Sequence, residues 1–438
     1  MSLKTLLMPA ISQRWLSRDR LLAQRRKAEA RRQREGARHV LHFFFQVDDP
    51  YSLLAASTLP ALQARYGVQT QVHLVSPPDD NAAPEREKLQ VYSRKDAQLL
   101  ARRWGLSFID TGRQPSSDVM RRAHSLLCAA AEVGDNTQLQ SLLVPVATAL
   151  WASTADTNTI WPKGPAAPTE QVAATLAHGD ALRKRMGHYL GATFFYAGEW
   201  YWGIDRLYHL EQRLQELGLQ SAPMEPLFPA STDLSQTVAT NSPPPIEFFF
   251  SLRSPYSAIV APRVFALGER TGAEVHLRYV LPMAMRGLPV PREKRMYISL
   301  DTAREAHARG IPFGRLNDPI GRPTERGLSL MPYAERAGRG QAYVLAFMHG
   351  VWARGLDAGS DRGLRQIVER AGLDWEQALD ALRQNDWRKV AERNREAMFA
   401  HGLWGVPSFV VNDTAVWGQD RLWAVQEALL APSAGGAP

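Results

Sequence analysis

The sequence has very little cysteine and no long apolar run. Its single cysteine, Cys128, excludes an intrachain disulfide framework and a Cys-x-x-Cys redox pair, and this usage favours a reducing compartment such as the cytoplasm. No stretch comes near the roughly 18 uncharged apolar residues that a membrane helix needs, so no integral membrane segment is predicted. The chain also lacks a phosphate-binding loop and any His, Cys and Asp cluster at metal-ligand spacing, so we expect no metal site.

Net basic charge is also absent from most of the chain, although the whole chain carries +8. Residues 1–40 hold 11 Lys and Arg against three acidic residues, and the remainder holds 41 residues of each sign. This excludes a basic domain surface, and we expect no nucleic-acid partner. Residues 1–39 are predicted to be a basic helical arm. Its part from 17 to 38 is either a solvated surface helix or a segment that contacts an anionic membrane surface.

An internal repeat dominates the rest of the sequence. Three pairs of matching motifs are 205 residues apart, and a fourth pair is 215 residues apart. The pairs are 42–46 with 247–251, 49–52 with 254–257, 103–108 with 308–313, and 202–207 with 417–422. A period of this length indicates a duplicated domain, not a solenoid.

The repeat sets the predicted domain boundaries. We expect one domain at 40–218 and a second at 246–431, joined by a linker at 219–245 that contains three consecutive prolines at 243–245. Residues 432–438 are predicted to be a flexible tail.

Each copy has the pattern of a β-α-β unit, a helical insertion and a closing β-β-α unit. Because a helix joins the first two strands, we expect them to be parallel. In the second copy the predicted strands are 246–251, 274–280, 407–411 and 415–417. The predicted helices are 255–268, 292–309, 334–355, 362–371, 374–384, 387–401 and 419–430. In the first copy the predicted elements are strands at 41–46 and 70–75, a helix at 50–66, helices through about 190, a hairpin at 193–202 and a helix at 204–217.

The second copy resembles the 2-hydroxychromene-2-carboxylate isomerase family, which is similar to kappa-class glutathione transferases. Three motifs carry the resemblance: Ser-Pro-Tyr-Ser at 254–257 after a strand, Gly-Val-Pro-Ser-Phe-Val-Val at 405–411, and Trp-Gly-Gln-Asp-Arg-Leu at 417–422. It covers 246–431, and 41–217 more weakly. It implies an α/β fold of two tandem thioredoxin-like domains, each with a DsbA-like helical insertion.

Ser254 lies at a strand-to-helix turn, where the unpaired N–H groups of the first helical turn form an anion site. A serine hydroxyl there adds a hydrogen-bond donor and, unlike a cysteine thiol, cannot be oxidised to a disulfide. Ser254 is either a helix N-cap alone or part of a ligand site. The resemblance implies the second role, in which Ser254 stabilises the thiolate of glutathione.

The resemblance also implies four further residues that bind glutathione. Val406 would pair its backbone with the peptide part of glutathione, next to a cis bond at Pro407. Gln419 and Asp420 would hold the γ-glutamyl end, with the ammonium on Asp420. An acidic residue in a first helical turn is also ordinary capping chemistry.

Four residues remain open as members of the substrate or cofactor pocket. Arg286, Arg292 and Lys294 follow the second strand, where the family has basic groups near a carboxylate, although each also fits a solvated charge cluster. Tyr256 fits either the pocket or the core.

The first copy departs from the pattern at two positions. Asp49 stands in the place of Ser254, and a carboxylate disfavours a neighbouring thiolate. Thr193 is interpreted as the counterpart of Pro407, whereas Asp205 matches Asp420. We therefore expect the first copy to be a structural partner or to bind something else.

The resemblance implies a glutathione-dependent isomerase that acts by reversible thiolate addition to an aromatic or hydrophobic carboxylic acid. A kappa-like glutathione transferase and a non-catalytic thioredoxin-fold binding protein are the alternatives. The two copies are also candidates to pair with each other within one chain.

Overall fold

The structure is a computed structural model that describes residues 3–132, 136–153, 160–220, 224–233, 237–238 and 242–431. The predicted tail at 432–438 and parts of the predicted linker lie outside these residues. The chain divides into two compact units. The first unit comprises residues 23–230, and the second comprises residues 1–22 together with 231–438. No helix in the described part of the chain is long and apolar enough to cross a membrane.

The N-terminal arm forms two helices, α1 (Leu3–Trp15) and α2 (Arg18–Arg34). Helix α1 belongs to the second unit, where Leu316 donates its N–H to the Ser12 hydroxyl at 3.1 Å. Gly355 allows close contact with α1, since a Cβ at this left-handed position would lie 2.5 Å from the Pro9 side chain. Helix α2 buries none of its residues. The division between the units falls within α2.

The first unit contains one sheet of four strands surrounded by helices. Its elements are β1 (Val40–Phe45), α3 (Pro50–Tyr66), β2 (Gln69–Leu74), α4 (Arg86–Trp104), α5 (Ser117–Glu132), α6 (Asn136–Ala152), α7 (Thr169–Met186), β3 (Thr193–Tyr196), β4 (Glu199–Trp202) and α8 (Leu207–Glu216). The strand order is β2-β1-β3-β4. Strand β1 is parallel to β2 and antiparallel to β3, so the predicted parallel pair is confirmed.

The second unit repeats this plan with a longer helical insertion. Its elements are β5 (Ile246–Phe250), α9 (Pro255–Thr271), β6 (Val275–Tyr279), α10 (Arg292–Ala308), α11 (Arg322–Ser329), α12 (Met331–Arg336), α13 (Gly340–Ala353), α14 (Asp361–Arg370), α15 (Trp375–Ala381), α16 (Trp387–Ala400), β7 (Ser408–Val411), β8 (Thr414–Trp417) and α17 (Leu422–Leu430). The strand order is β6-β5-β7-β8, again with a parallel first pair.

Hydrophobic runs in the strands place the core of each unit between its sheet and its helices. In the second unit the rings of Phe248 and Phe409 stack across β5 and β7 at 5.3 Å. In the first unit Phe43 and Phe194 stack across β1 and β3 at 4.8 Å. Cys128 is fully buried in α5, as expected for a cysteine that acts as a small apolar residue.

One sequence-based prediction about the insertion of the second unit is wrong, and one helix was not predicted. The helix expected over 334–355 is interrupted between α12 and α13. Gly338 adopts a left-handed conformation there (φ 66°), which ends the helix. Helix α11 was also missed, because Pro323 and Gly327 interrupt its helical pattern.

The segment between the predicted domains contains no helix or strand among its described residues. Its earlier part lies in the first unit, where the buried Glu211 carboxylate accepts the N–H groups of Leu227 and Phe228 at 2.9 and 3.1 Å. Its later part lies in the second unit, where Arg263 donates to both carboxylate oxygens of Asp233 at 2.7 Å.

Candidate functional site

The candidate site lies where β5 ends and α9 begins. Ser254 is the N-cap of α9 and has an extended backbone (φ −89°, ψ 116°), and Pro255 follows at the first helical position. The Ser254 hydroxyl oxygen accepts the N–H of Ser257 at 3.1 Å. Ser254 is half-buried. The local sequence therefore puts a hydroxyl group at the positively polarised end of a 17-residue helix.

The chain segment before β7 completes the site. The Ser254 hydroxyl donates to the carbonyl oxygen of Val406 at 3.4 Å. The peptide bond between Val406 and Pro407 is cis, and β7 begins at the next residue. Ser254 is thus brought together with Val406 and Pro407 at the N-terminus of α9, although Val406 lies 152 positions further along the sequence.

Gln419 and Asp420 lie in a short 3-10 helix, Gln419–Arg421, that follows β8. Gly418 donates its N–H to the carbonyl oxygen of Pro407 at 2.9 Å, which fixes this helix beside the cis bond. The Gln419 side chain is buried; its amide oxygen accepts from Arg263 at 2.8 Å and its amide nitrogen donates to Glu305 at 2.9 Å. It is therefore engaged within the protein.

Asp420 has a partly exposed side chain, with 20% of its surface accessible, and one oxygen lies 3.5 Å from the Arg421 guanidinium. Gly418 is required beside it, because a Cβ there would come within 2.5 Å of the Asp420 carboxylate. The backbone of Gly418 is also left-handed (φ 119°).

The remaining predicted residues lie on α9, on the loop after β6 and at the start of α10. The Tyr256 hydroxyl donates to Asp301 at 2.7 Å. The Arg286 guanidinium lies over the ring of Phe399, 5.9 Å from its centre. Arg292 and Lys294 are in the first turn of α10, and burial lowers the pKa of the Lys294 ammonium to about 8.

The sequence analysis did not predict Asp301, whose carboxylate accepts the hydrogen bond from Tyr256. Asp301 is buried in α10, where it also accepts from Arg304 at 2.7 Å. The first unit contains the same pair, since Tyr51 donates to the buried Asp96 at 2.7 Å. A signal was present: Tyr-x-x-x-Asp occurs at 92–96 and again at 297–301, with the same offset of 205.

The interpretation of Thr193 as the counterpart of Pro407 is wrong by one residue. Thr193 is paired with Phe44 and Trp202, and Ser408 is paired with the equivalent Phe249 and Trp417. The counterpart of Pro407 is therefore Ala192, which has a left-handed backbone (φ 52°). Ala192 also accepts the N–H of Gly203 at 2.8 Å, as Pro407 accepts that of Gly418.

The first unit fills the equivalent position with its own groups. Asp49 is the N-cap of α3, and its carboxylate accepts the N–H of Tyr51 at 3.1 Å and the hydroxyl of Ser52 at 3.0 Å. Gly191, in the place of Val406, lies so close to Gln46 that a Cβ would be 2.5 Å from the Gln46 side chain. The helix N-terminus therefore already has an internal carboxyl group as its acceptor.

Asp49 makes the stability of the first unit depend on pH. Burial raises the pKa of its carboxyl from 3.8 to about 7, although hydrogen bonds from Ser52 and Tyr51 lower it. Since the folded pKa exceeds the unfolded one, the folded state retains the proton between these values, and the free energy of unfolding falls as pH rises from 3.8 to about 7. We expect Asp49→Asn to remove this fall in urea unfolding curves. An unchanged pH dependence in the variant would contradict the assignment.

No group of three or more His, Cys, Asp and Glu side chains that could hold a metal ion occurs in the described ranges. At the N-terminus of α9 the structure brings together the Ser254 hydroxyl, the N–H groups of the first helical turn and the half-buried segment at Val406.

Part of the second unit matches a family model. Residues 245–430 match the model described as a DSBA-like thioredoxin domain. The matched region contains β5 through α17 and all the predicted site residues.

Curated relatives align with about two fifths of the chain. A 2-hydroxychromene-2-carboxylate isomerase of Sphingobium xenophagum is 28% identical over 197 residues, which is 42% of this chain and 97% of the relative. The protein of the same name from Pseudomonas putida is 23% identical over 192 residues, 42% of this chain and 93% of the relative.

Two solved structures are also similar. A 2-hydroxychromene-2-carboxylate isomerase structure has 24% identity and a TM-score of 0.36, covering 42% of this chain and 93% of that one. The cytosolic disulfide reductase DsbM from Pseudomonas aeruginosa with GSH has 20% identity and a TM-score of 0.34, covering 42% and 98%.

Proposed function

We propose that the second unit is a glutathione-dependent isomerase of the 2-hydroxychromene-2-carboxylate isomerase type. Its substrate would be an aromatic or hydrophobic carboxylic acid. The proposal is supported by curated relatives with that name, which align over 97% and 93% of their own length.

The observation that carries the proposal is the position of the Ser254 hydroxyl. It caps α9 and lies 3.4 Å from the carbonyl oxygen of Val406, beside the cis bond. A thiolate placed there would accept from the hydroxyl and interact with the partial positive charge of the helix N-terminus, and both effects lower the pKa of the thiol. The thiol would come from the cofactor, because the chain's one cysteine is buried in the first unit.

The rest of glutathione would bind to the segments around Ser254. The backbone of Val406 would pair with the peptide of glutathione, as in strand addition. The partly exposed carboxylate of Asp420 would hold the γ-glutamyl ammonium. Gln419 would contribute through its backbone, since its side chain is engaged by Arg263 and Glu305.

The proposed reaction begins when the thiolate forms a C–S bond to the carbon of the chromene double bond that is next to the aromatic ring. The electron pair of the double bond shifts toward the carboxylate-bearing carbon and the ring C–O bond breaks, which leaves an enol and a phenolate. The former double bond is now single, so it rotates. The enol proton then passes to the phenolate oxygen, the enol becomes a ketone, and the C–S bond breaks as the double bond re-forms, so the thiolate is released and no atom is gained or lost.

The first unit would be a duplicated copy that has lost this site. Both sheets have the same strand order and equivalent pairs, and the buried Tyr–Asp contact occurs in both. Asp49 supplies an internal carboxyl group where the second unit would take a ligand. We therefore assign the first unit a structural role.

An absorbance assay of 2-hydroxychromene-2-carboxylate with the full chain tests the proposal. We expect isomerisation that requires glutathione, with all added thiol recovered at the end. Isomerisation without glutathione would contradict the proposal, and stoichiometric loss of thiol would indicate a transferase instead.

A further inference from the structure

Ser257 carries a polar group for which the fold provides no partner. Its side chain is completely buried, and its hydroxyl makes no hydrogen bond to any residue that the structure describes. An unpaired buried hydroxyl destabilises the folded state, because it has lost its hydrogen bonds to water. Its backbone N–H donates to the Ser254 hydroxyl oxygen at 3.1 Å, so Ser257 lies directly beneath the candidate site.

The equivalent serine of the first unit has three partners. Ser52 is also completely buried, and its hydroxyl oxygen accepts the N–H of Gln46 at 3.1 Å and the N–H of Ala192 at 2.9 Å. Its own proton is donated to the Asp49 carboxylate at 3.0 Å. A hydroxyl at this position is therefore directed at the carboxyl group that caps the helix.

In the second unit, two of these three partners are replaced by residues that cannot form the same hydrogen bond. Pro407 replaces Ala192 and has no N–H to donate. Ser254 replaces Asp49, so the acceptor carboxylate is gone; the Ser254 hydroxyl itself accepts from the Ser257 N–H and donates to Val406. The substitutions at the helix N-terminus thus remove two of the three partners, and the Ser257 hydroxyl makes no hydrogen bond to the described residues.

We propose that Ser257 is a second hydroxyl donor to the thiolate bound at Ser254. The inference rests on the proposed function, and the ligand class is a thiolate that occupies the place of the Asp49 carboxylate in the first unit. Ser52 and Asp49 provide the internal template: one capping group accepts both a helix N–H and the buried hydroxyl. In the second unit the acceptor would be a thiolate from outside the chain.

The test compares the pKa of bound glutathione in the full-length protein and in Ser257→Ala, by ultraviolet titration of the thiolate. A hydrogen bond donated to a thiolate stabilises the charged form and so lowers the pKa of the thiol. We expect Ser257→Ala to raise the thiol pKa by about one unit, which lowers the thiolate fraction about tenfold at a fixed pH below the pKa. Binding of S-methylglutathione, which has no ionisable thiol, should be unchanged and reports whether the site is still folded.

Ser52→Ala is the matched control in the first unit. It removes three hydrogen bonds and should lower the melting temperature, whereas it should leave the pKa of bound glutathione unchanged. Ser257→Ala removes a hydroxyl without a partner and should not lower the melting temperature.

Equal thiol pKa values in wild type and Ser257→Ala, with Ser254→Ala still raising the pKa, would overturn the role of Ser257 and leave the proposed function intact. A wild type that binds neither glutathione nor S-methylglutathione would overturn both. A raised pKa together with unchanged S-methylglutathione affinity supports the role of Ser257.

Discussion

Replacing Ser254 with alanine is expected to lower kcat of glutathione-dependent isomerisation by about 10²-fold to 10³-fold. This is the loss seen when one donor to a developing or bound anion is removed from a water-poor site. Because the donor acts on the thiolate in the reaction, kcat and kcat/KM should fall together. Steady-state rates with saturating glutathione provide the measurement.

Ser360→Ala is the matched control for the loss of a helix cap. Ser360 caps α14, and its hydroxyl oxygen accepts the N–H of Gly363 at 3.1 Å, the same distance as between Ser254 and the Ser257 N–H. Both variants should lose about 1 kcal/mol of stability, whereas only Ser254→Ala should lose activity. Similar activity in the two variants would mean that Ser254 is a structural cap.

Replacing Asp301 with alanine is expected to give the largest loss of stability, about 3 to 5 kcal/mol of the free energy of unfolding. The Asp301 side chain is fully inaccessible, accepts from the Tyr256 hydroxyl at 2.7 Å and pairs with Arg304 at 2.7 Å. Without the Asp301 carboxylate, the Arg304 guanidinium, which has 9% of its surface accessible, lies beside an empty space. Urea unfolding of the full chain provides the measurement.

Asp374→Ala serves as the control for removal of an aspartate from the same unit. Asp374 is an exposed N-cap that accepts from Gln377 at 2.8 Å, and its loss should cost about 1 kcal/mol. If Asp301→Ala destabilises the protein no more than Asp374→Ala, the buried Tyr256–Asp301–Arg304 contact is not important for the fold.

The β-α-β and β-β-α parts of each unit were predictable because they depend on local patterns. Phe-Phe-Phe runs bounded by turns indicated the central strands β1 and β5, and Pro255 marked the start of α9. The helical insertion was less predictable. Its breaks depend on single residues such as Gly338, whose left-handed backbone is not evident from a hydrophobic pattern.

The site was predictable to the extent that its residues follow sequence landmarks. Ser254, Val406 and Pro407 come together because the ends of two neighbouring strands meet at one edge of the sheet. The strand register was harder to predict, because a slip of one residue exchanges Thr193 with Ala192 and the motif match alone does not fix it. The engagement of Gln419 by Arg263 is a tertiary contact over 156 residues, beyond the reach of any local pattern. The contact of Tyr256 with Asp301 spans 45 residues, and its sequence signal is the repeat of Tyr-x-x-x-Asp at the offset of 205.

Calorimetric titration of glutathione into the full chain tests the central claim most directly, that one of the two units binds the cofactor. Asp420→Ala and its first-unit counterpart Asp205→Ala form a matched pair for this measurement. We predict one saturable site per chain, weakened by Asp420→Ala and unaffected by Asp205→Ala. Two equal sites, no binding at millimolar glutathione, or a loss caused by Asp205→Ala would contradict the account.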